Sequence, residues 1–163
     1  MQEDRFGKFV EILENTPGKL GSLLERRSEK QLRYQPSEGA FSLKENLLHL
    51  RDLEREGYGR RLRVILAEDL PVLQEIEGER LSRLRHYQAA DAPLALRQFR
   101  LLREANLAYL RNMTGFQWHR KALWNNAEVM LFQVVERWVA HDQEHLEAME
   151  QLAKGSHGGE TDR

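Results

Sequence analysis

Two histidines one helical turn apart are the residues whose type and spacing most clearly suggest chemistry. His141 and His145 lie on an apolar stripe that continues in steps of three and four residues, formed by Leu131, Val134, Trp138, Ala148 and Leu152. This spacing keeps side chains on one face of a helix. Side chains four residues apart have Cβ atoms roughly 5–6 Å apart, so both rings can reach one metal ion. A core histidine pair without metal remains the alternative, because His-x-x-x-His also arises by chance.

A third histidine occurs in an earlier helical segment, Glu45-Asn-Leu-Leu-His49-Leu-Arg-Asp-Leu-Glu54. His49 shares a face with Leu53 and can point into a helical bundle, where facing helices commonly assemble metal sites. Taken alone, His49 is more simply explained as a hydrogen-bonded core or edge residue. Three neutral imidazoles with an open coordination position are typical of catalytic zinc sites, although imidazole also suits nickel, iron and copper. Together the three histidines favour a metal site.

Three further residues are weaker candidates for catalysis or for orienting a ligand. Glu54 and Asp142 could each accept a hydrogen bond from a ligating imidazole. An ordinary helix carboxylate is the alternative for both, and it is the simpler interpretation of Asp142. His119, in a loop before the last helix, could act as a general acid or base because imidazole titrates near neutrality. A solvated loop histidine is the simpler interpretation of that residue.

The composition limits the classes of protein that the chain can belong to. Its 163 residues include no cysteine, and the net charge is −1. A thiolate nucleophile, a sulfur-ligated zinc site and a disulfide framework are therefore excluded, and no overall field favours nucleic acid. Neither an apolar run of membrane-spanning length nor a signal peptide is visible. We therefore expect a cytoplasmic protein that binds neither membranes nor nucleic acid.

The helical periodicity predicts one domain built from four amphipathic helices. Helix one begins near Asp4, with a break or kink at Pro17, and the connection that follows covers residues 28–40. Helix two opens with the capping box Ser42-Leu-Lys-Glu45 and continues to about Ala67. Residues 77–89 form a short irregular helix in a longer crossover between helices two and three.

The second half of the chain completes the bundle. Asp91-Ala-Pro93 begins helix three, residues 114–124 form a loop, and Asn125-Asn126-Ala-Glu128 gives a cap-like start to helix four. No β-hairpin signal is evident. The prediction is an all-α four-helix bundle.

Two of these segments are similar to the signatures of a known family. Phe41-Ser-Leu-Lys-Glu45-Asn-Leu-Leu-His49-Leu-Arg-Asp-Leu-Glu54 and His141-Asp-Gln-Glu-His145-Leu resemble the helix-two and helix-four signatures of the DinB/YfiT-like superfamily. Leu32-Arg-Tyr34-Gln-Pro36, followed by Gly39, resembles the lead-in to the first signature. The resemblance covers roughly residues 5–153. Phe41 departs from the tryptophan usual at that position, which affects packing more than chemistry.

The resemblance implies an up-down-down-up bundle over residues 1–153. The polar, glycine-rich composition of residues 154–163 predicts a disordered tail. The resemblance also implies one divalent metal held by His49, His141 and His145, with zinc or nickel preferred and iron or manganese as alternatives. Members are often homodimers that act on small molecules. Relatives with known chemistry are transferases or isomerases that use low-molecular-weight thiols, and others are described as hydrolases.

Three functions remain open at this point. The leading hypothesis is a metal-dependent enzyme for thiol transfer or hydrolysis, in which bacillithiol, mycothiol or glutathione brings the sulfur. A second is a His-Glu-x-x-His type of peptidase, disfavoured because Asp142 stands where such enzymes have glutamate. A third is a non-catalytic interaction module that the metal stabilises.

Overall fold

Four long helical stretches form the core of this computed structural model, which describes residues 2–155 and the side chains of residues 4–155. The first is α1 (Gln2–Leu24), and the third and fourth long helices are α6 (Ala92–Arg111) and α8 (Leu131–Gly155). The second stretch consists of α3 (Leu43–Asp52) and α4 (Tyr58–Ala67), which a π-helical segment, Leu53–Gly57, joins without a break. Both α1 and α3 pack against α6 and α8. The predicted four-helix bundle is confirmed.

Shorter elements connect the long helices. They are α2 (Glu29–Arg33), β1 (Val72–Leu73), α5 (Gly78–Leu84), the 3₁₀ turn Tyr87–Ala89, α7 (Gly115–Trp118), β2 (Lys121–Trp124) and β3 (Ala127–Met130). The crossover that leads to α6 therefore contains the short irregular helix predicted for residues 77–89.

Local capping chemistry explains where two of the long helices begin. The Ser42 side chain accepts from the Glu45 backbone N–H, and the Glu45 carboxylate accepts from the Ser42 backbone N–H at 2.8 Å. Asp91 caps α6 with a single hydrogen bond, because its carboxylate accepts from the Leu94 backbone N–H at 2.8 Å. Both predicted helix starts are confirmed, since each cap satisfies N–H groups that the first turn leaves without partners.

The predicted start of helix four is wrong. Asn125 and Asn126 form the turn of an antiparallel hairpin between β2 and β3, with φ values of +52° and +62°. A two-residue hairpin turn with both φ values positive matches the right-handed twist of the strands, and asparagine tolerates this conformation better than most residues. β1 adds in parallel to β2 and completes a three-stranded sheet. Residues 114–124, predicted as a loop, thus contain α7 and β2.

Two predictions near the N-terminus are also corrected. α1 continues through Pro17 without a break; Thr16 is buried, and its hydroxyl donates to the Asp142 carboxylate at 2.8 Å. The predicted connection over residues 28–40 contains α2, whose start is fixed by a second capping box between Ser28 and Gln31. Tertiary contact to α8 outweighs the local breaker signal at Pro17.

The apolar interior consists of two clusters. On α8, the two histidines lie between Val139 of the first cluster and Leu146 of the second. Within residues 2–155, no helix is long and apolar enough to cross a membrane. The predicted disordered tail lies outside the described residues from position 156 onward, and α8 itself extends to Gly155.

Candidate metal centre

The three predicted histidines converge between α3 and α8. His49 Nε2 lies 3.0 Å from His141 Nε2. The ring centroid of His145 is 4.6 Å from that of His49 and 4.5 Å from that of His141. One nitrogen from each ring can be chosen so that all three atoms lie within 4.8 Å of one another. The capping box fixes where α3 begins and so the position of His49 along that helix. The i,i+4 spacing places His141 and His145 on the same face of α8.

Asn46, one turn before His49, fixes the orientation of His145. The Asn46 amide nitrogen donates to the Ser42 carbonyl at 2.9 Å, so its Oδ1 atom is the acceptor that faces the histidine. His145 Nδ1 lies 2.7 Å from that oxygen and therefore carries the proton. The lone pair is then on His145 Nε2. This is the arrangement by which an outer residue sets the tautomer of a metal ligand.

Burial keeps the rings neutral. It lowers the pKa of His49 to about 3, with the charges of His145 and His141 adding to the effect. Burial and the neighbouring His145 likewise lower the pKa of His141 to about 3. The pKa of His145 is lowered by burial and partly restored by Asp142. Three neutral imidazoles offer lone pairs, which is the form that binds metal.

Two nitrogens of this cluster lack a hydrogen-bond partner among the described residues. They are His49 Nδ1 and His141 Nδ1, and both are buried. A buried polar atom without a partner costs about 1–3 kcal/mol, so such atoms are rare unless they serve a function. Neutral nitrogen donors, short separations and unpartnered buried nitrogens together fit a bound divalent cation.

A cavity of 670 Å³ opens beside the cluster. His49, His145 and Asn46 contribute to its inner wall, and Phe41 and Leu152 are among its apolar residues. Gly78 at the start of α5 also lines the cavity. An added Cβ at this position would stand 2.5 Å from His49 Cε1. Only a glycine lets the α5 backbone approach the ring so closely. The site therefore combines a cluster of donor nitrogens with space for a small molecule.

The structure places Glu54 in a buried ion-pair network and not against a histidine. Its carboxylate accepts two hydrogen bonds from Arg103, at 2.9 and 2.8 Å, and one from Asn106 at 2.9 Å. Asp142 also pairs with Arg103, at 2.8 Å, while accepting from Thr16. Asp142 thus influences His145 through its charge only. The network ties α1, α6 and α8 to the π-helical segment.

His119 lies elsewhere in the bundle. Its Nδ1 atom is 2.8 Å from the Gly115 carbonyl, and its ring packs against Phe6 and Phe132. It is absent from the lining of the cavity beside the three histidines.

Sequence reasoning missed Asn46, Gly78 and the π-helical segment. Asn46 carried a usable signal, since an amide three residues before a candidate ligand lies on the same helical face. The π-helical segment gave less warning. Its geometry requires Gly59, two residues after it in α4, because a Cβ at Gly59 would stand 2.1 Å from the Glu54 carbonyl oxygen. Asn106 donates to that same carbonyl at 3.1 Å, which supplies a partner where the helix is irregular.

The fold and this cluster define a class of protein: a four-helix bundle with a three-histidine site suited to a divalent metal. The family model of the DinB superfamily matches residues 12–149, and the chain therefore belongs to the DinB superfamily. Among curated proteins, it is 22% identical over 156 residues to YfiT of Bacillus subtilis (strain 168), which is named as a candidate metal-dependent hydrolase. That alignment covers 94% of this chain and 87% of YfiT.

A solved structure of YfiT from Bacillus subtilis has the same fold. It superposes with a TM-score of 0.88 at 22% identity, covering 96% of this chain and 90% of that one. YfiT is described as a four-helix bundle of unusual topology. The predicted DinB/YfiT-like fold is confirmed.

Proposed function

We propose that His49, His141 and His145 bind one divalent metal ion and that the chain is a metal-dependent enzyme acting on a small molecule. The observation that carries this proposal is the convergence of three neutral imidazoles beside a cavity of 670 Å³. The name of YfiT, a candidate metal-dependent hydrolase, agrees with this proposal. Zinc or nickel suits this donor set, with iron or manganese as alternatives.

Each residue of the site has a distinct role in this proposal. The three histidines supply nitrogen lone pairs and leave further coordination positions for water or substrate. Asn46 holds the His145 ring in the tautomer whose Nε2 atom is free. When bound, the metal lowers the pKa of a water or thiol that reaches it and polarises a substrate oxygen.

A metal ion with open coordination positions beside a cavity suits two reactions, hydrolysis and thiol transfer. The chain contains no cysteine, so the sulfur for thiol transfer must come from a cosubstrate such as bacillithiol, mycothiol or glutathione. A peptidase mechanism is less well supported. The Asp142 carboxylate, which would have to act as general base, is buried and bound by Thr16 and Arg103.

Elemental analysis of protein purified without added metal tests the site. We expect about one metal ion per wild-type chain, and a loss of most of it in His49→Ala and His145→Ala. His119→Ala is the matched control, because that ring lies outside the cavity lining, and it should keep its metal. Full occupancy in both ligand variants would contradict the proposal.

An activity screen then separates enzyme from interaction module. Ester, amide and thiol-transfer substrates are assayed with and without each low-molecular-weight thiol, before and after chelation. Chelator-sensitive turnover supports an enzyme. Chelation that lowers only the melting temperature would favour the non-catalytic module. A homodimer and a cytoplasmic location remain predictions, of which light scattering after size exclusion tests the first.

A further inference from the structure

The π-helical segment changes which residues of α4 face the interior of the bundle. On α3 the buried face runs from His49 to Leu53, and an uninterrupted α-helix would bring Arg60 to the same face two turns later. Arg60 is exposed, whereas Tyr58 and Leu62 are buried. The Tyr58 backbone N–H donates to the Leu53 carbonyl, five residues back, so the π-helical turn shifts the inward face by one residue. Such turns occur frequently at functional sites.

This shift brings Tyr58 against the candidate metal centre. The centroid of the Tyr58 ring lies 5.4 Å from that of His141 on α8. The other rings that contact His141 belong to His49 and His145, at 5.0 and 4.5 Å. Within residues 4–155, Tyr58 is therefore the one ring in contact with His141 that does not belong to a predicted metal ligand.

His141 lacks an orienting hydrogen bond of the kind that Asn46 provides to His145. Among the described residues, the Nδ1 atom of His141 has no partner, and its Nε2 atom is paired with His49 Nε2 at 3.0 Å. That pairing requires a proton between the two Nε2 atoms, so it is lost when both direct their lone pairs at one cation. Packing must then keep the His141 ring in place.

Tyr58 is itself held from several sides. Its ring stacks on Trp138, with centroids 5.5 Å apart and an interplanar angle of 8°. The Arg61 guanidinium lies 5.1 Å from the Tyr58 centroid, and the Tyr58 hydroxyl donates to the Arg137 carbonyl at 3.4 Å. Trp138 precedes His141 by about one turn of α8, so Tyr58 packs across both side chains. A ring fixed in this way can restrict the rotation of its neighbour.

We propose that Tyr58 is a positioning residue of the metal centre. The π-helical segment turns it toward α8, where its ring holds the His141 imidazole in line with His49 and His145. The role of His141 as a ligand rests on the proposed function. Tyr58 does not line the cavity beside the histidines, so it acts through His141 and not on the substrate.

Zinc affinities of ring-keeping and ring-removing variants test this role. Tyr58→Phe retains the ring and should bind zinc within about threefold of wild type. Tyr58→Leu removes the ring, so His141 can rotate, and zinc should bind about tenfold more weakly. Tyr58→Met, whose unbranched side chain fills irregular space, takes its place should Tyr58→Leu fail to fold.

Phe9→Leu is the matched control. Phe9 is a buried ring of the same apolar cluster as Tyr58, and among residues 4–155 it makes no ring contact with a histidine. Phe9→Leu should lose stability to urea as Tyr58→Leu does but keep the wild-type zinc affinity. Wild-type zinc affinity in Tyr58→Leu, or an equal loss in Phe9→Leu, would overturn the inference.

A metal-free measurement separates this inference from the proposed metal site. Nuclear Overhauser contacts between the ring protons of His141 and His49 report the orientation of His141 without zinc. We expect these contacts to persist in Tyr58→Phe and Phe9→Leu and to weaken in Tyr58→Leu. A wild type that binds no zinc would contradict the proposed function, whereas ring contacts that are unchanged in Tyr58→Leu would overturn the positioning role.

Discussion

Replacing Asn46 tests whether the structure identifies the orienting partner of the site correctly. Asn46 is 2% exposed, and its Oδ1 atom lies 2.7 Å from His145 Nδ1. Asn46→Leu keeps the volume but removes the acceptor, so His145 can rotate or adopt the wrong tautomer. Losing such an outer partner weakens metal binding about 10–100-fold, or about 1.4–2.7 kcal/mol at about 1.36 kcal/mol per tenfold.

The backbone around Asn46 tolerates this change. The Ser42 carbonyl, which loses the side-chain amide, still accepts from the Asn46 backbone N–H at 3.0 Å. Urea denaturation of the metal-free variant reports any general loss of stability, and we expect about 1–3 kcal/mol from the lost buried hydrogen bonds. Zinc affinity is measured separately by competition with a chromophoric chelator.

Asn46→Asp supplies the matched comparison. Aspartate retains an oxygen facing His145, and carboxylates are common partners of metal-bound histidine. Its second oxygen faces the Ser42 carbonyl and costs stability, but zinc affinity should lie closer to wild type than that of Asn46→Leu. Zinc affinity of Asn46→Leu within about threefold of wild type would refute the reasoning that this hydrogen bond orients a ligand.

Three further changes give checkable outcomes. Arg103→Met leaves two buried carboxylates without their cation and should lower the free energy of unfolding by about 3–5 kcal/mol; a loss below about 1 kcal/mol by urea denaturation would contradict the ion-pair network. Gly78→Ala places a methyl group 2.5 Å from the His49 ring and should weaken zinc binding at least about tenfold, whereas unchanged affinity would show that α5 moves freely. Hydrogen bonds from Tyr87 and Arg85 outweigh burial and lower the pKa of Asp52. The stabilisation from ionised Asp52 is thus complete above its unfolded pKa of about 3.9 and is lost as pH falls through the lower folded value. Wild type should therefore exceed Asp52→Asn in stability at pH 7 and lose that advantage at low pH, and a pH-independent difference would contradict this.

The buried network around Arg103 explains why Glu54 and Asp142 are poor candidates for proton transfer. Burial raises the pKa of Glu54, and Arg103 and Asn106 oppose that effect through charge and hydrogen bonds. The carboxylate oxygens of both acids are occupied by Arg103, Asn106 and Thr16. Their contribution to the site is to hold α8 and the π-helical segment against their neighbours.

Local signals predicted much of the fold because the helices obey short-range rules. The capping box at Ser42 and the cap at Asp91 depend on contacts within four residues, so the sequence was sufficient to locate them. The hairpin at Asn125 and Asn126 was missed because asparagine is common in both helix caps and turns. Only the pairing of β2 with β3, and of β1 from a distant part of the chain, distinguishes the two.

For the candidate site, the sequence by itself was enough to select the three histidines and the helix faces on which they lie. Spacing placed His141 and His145 on one face of α8 and His49 on the inner face of α3, because helical periodicity is a local property. Only the tertiary structure decided which groups surround them. Asn46 as the partner of His145, Gly78 against His49, and Arg103 between Glu54 and Asp142 all depend on how separate helices pack. Those contacts join residues 29 to 99 positions apart in the chain, at distances that no local pattern encodes.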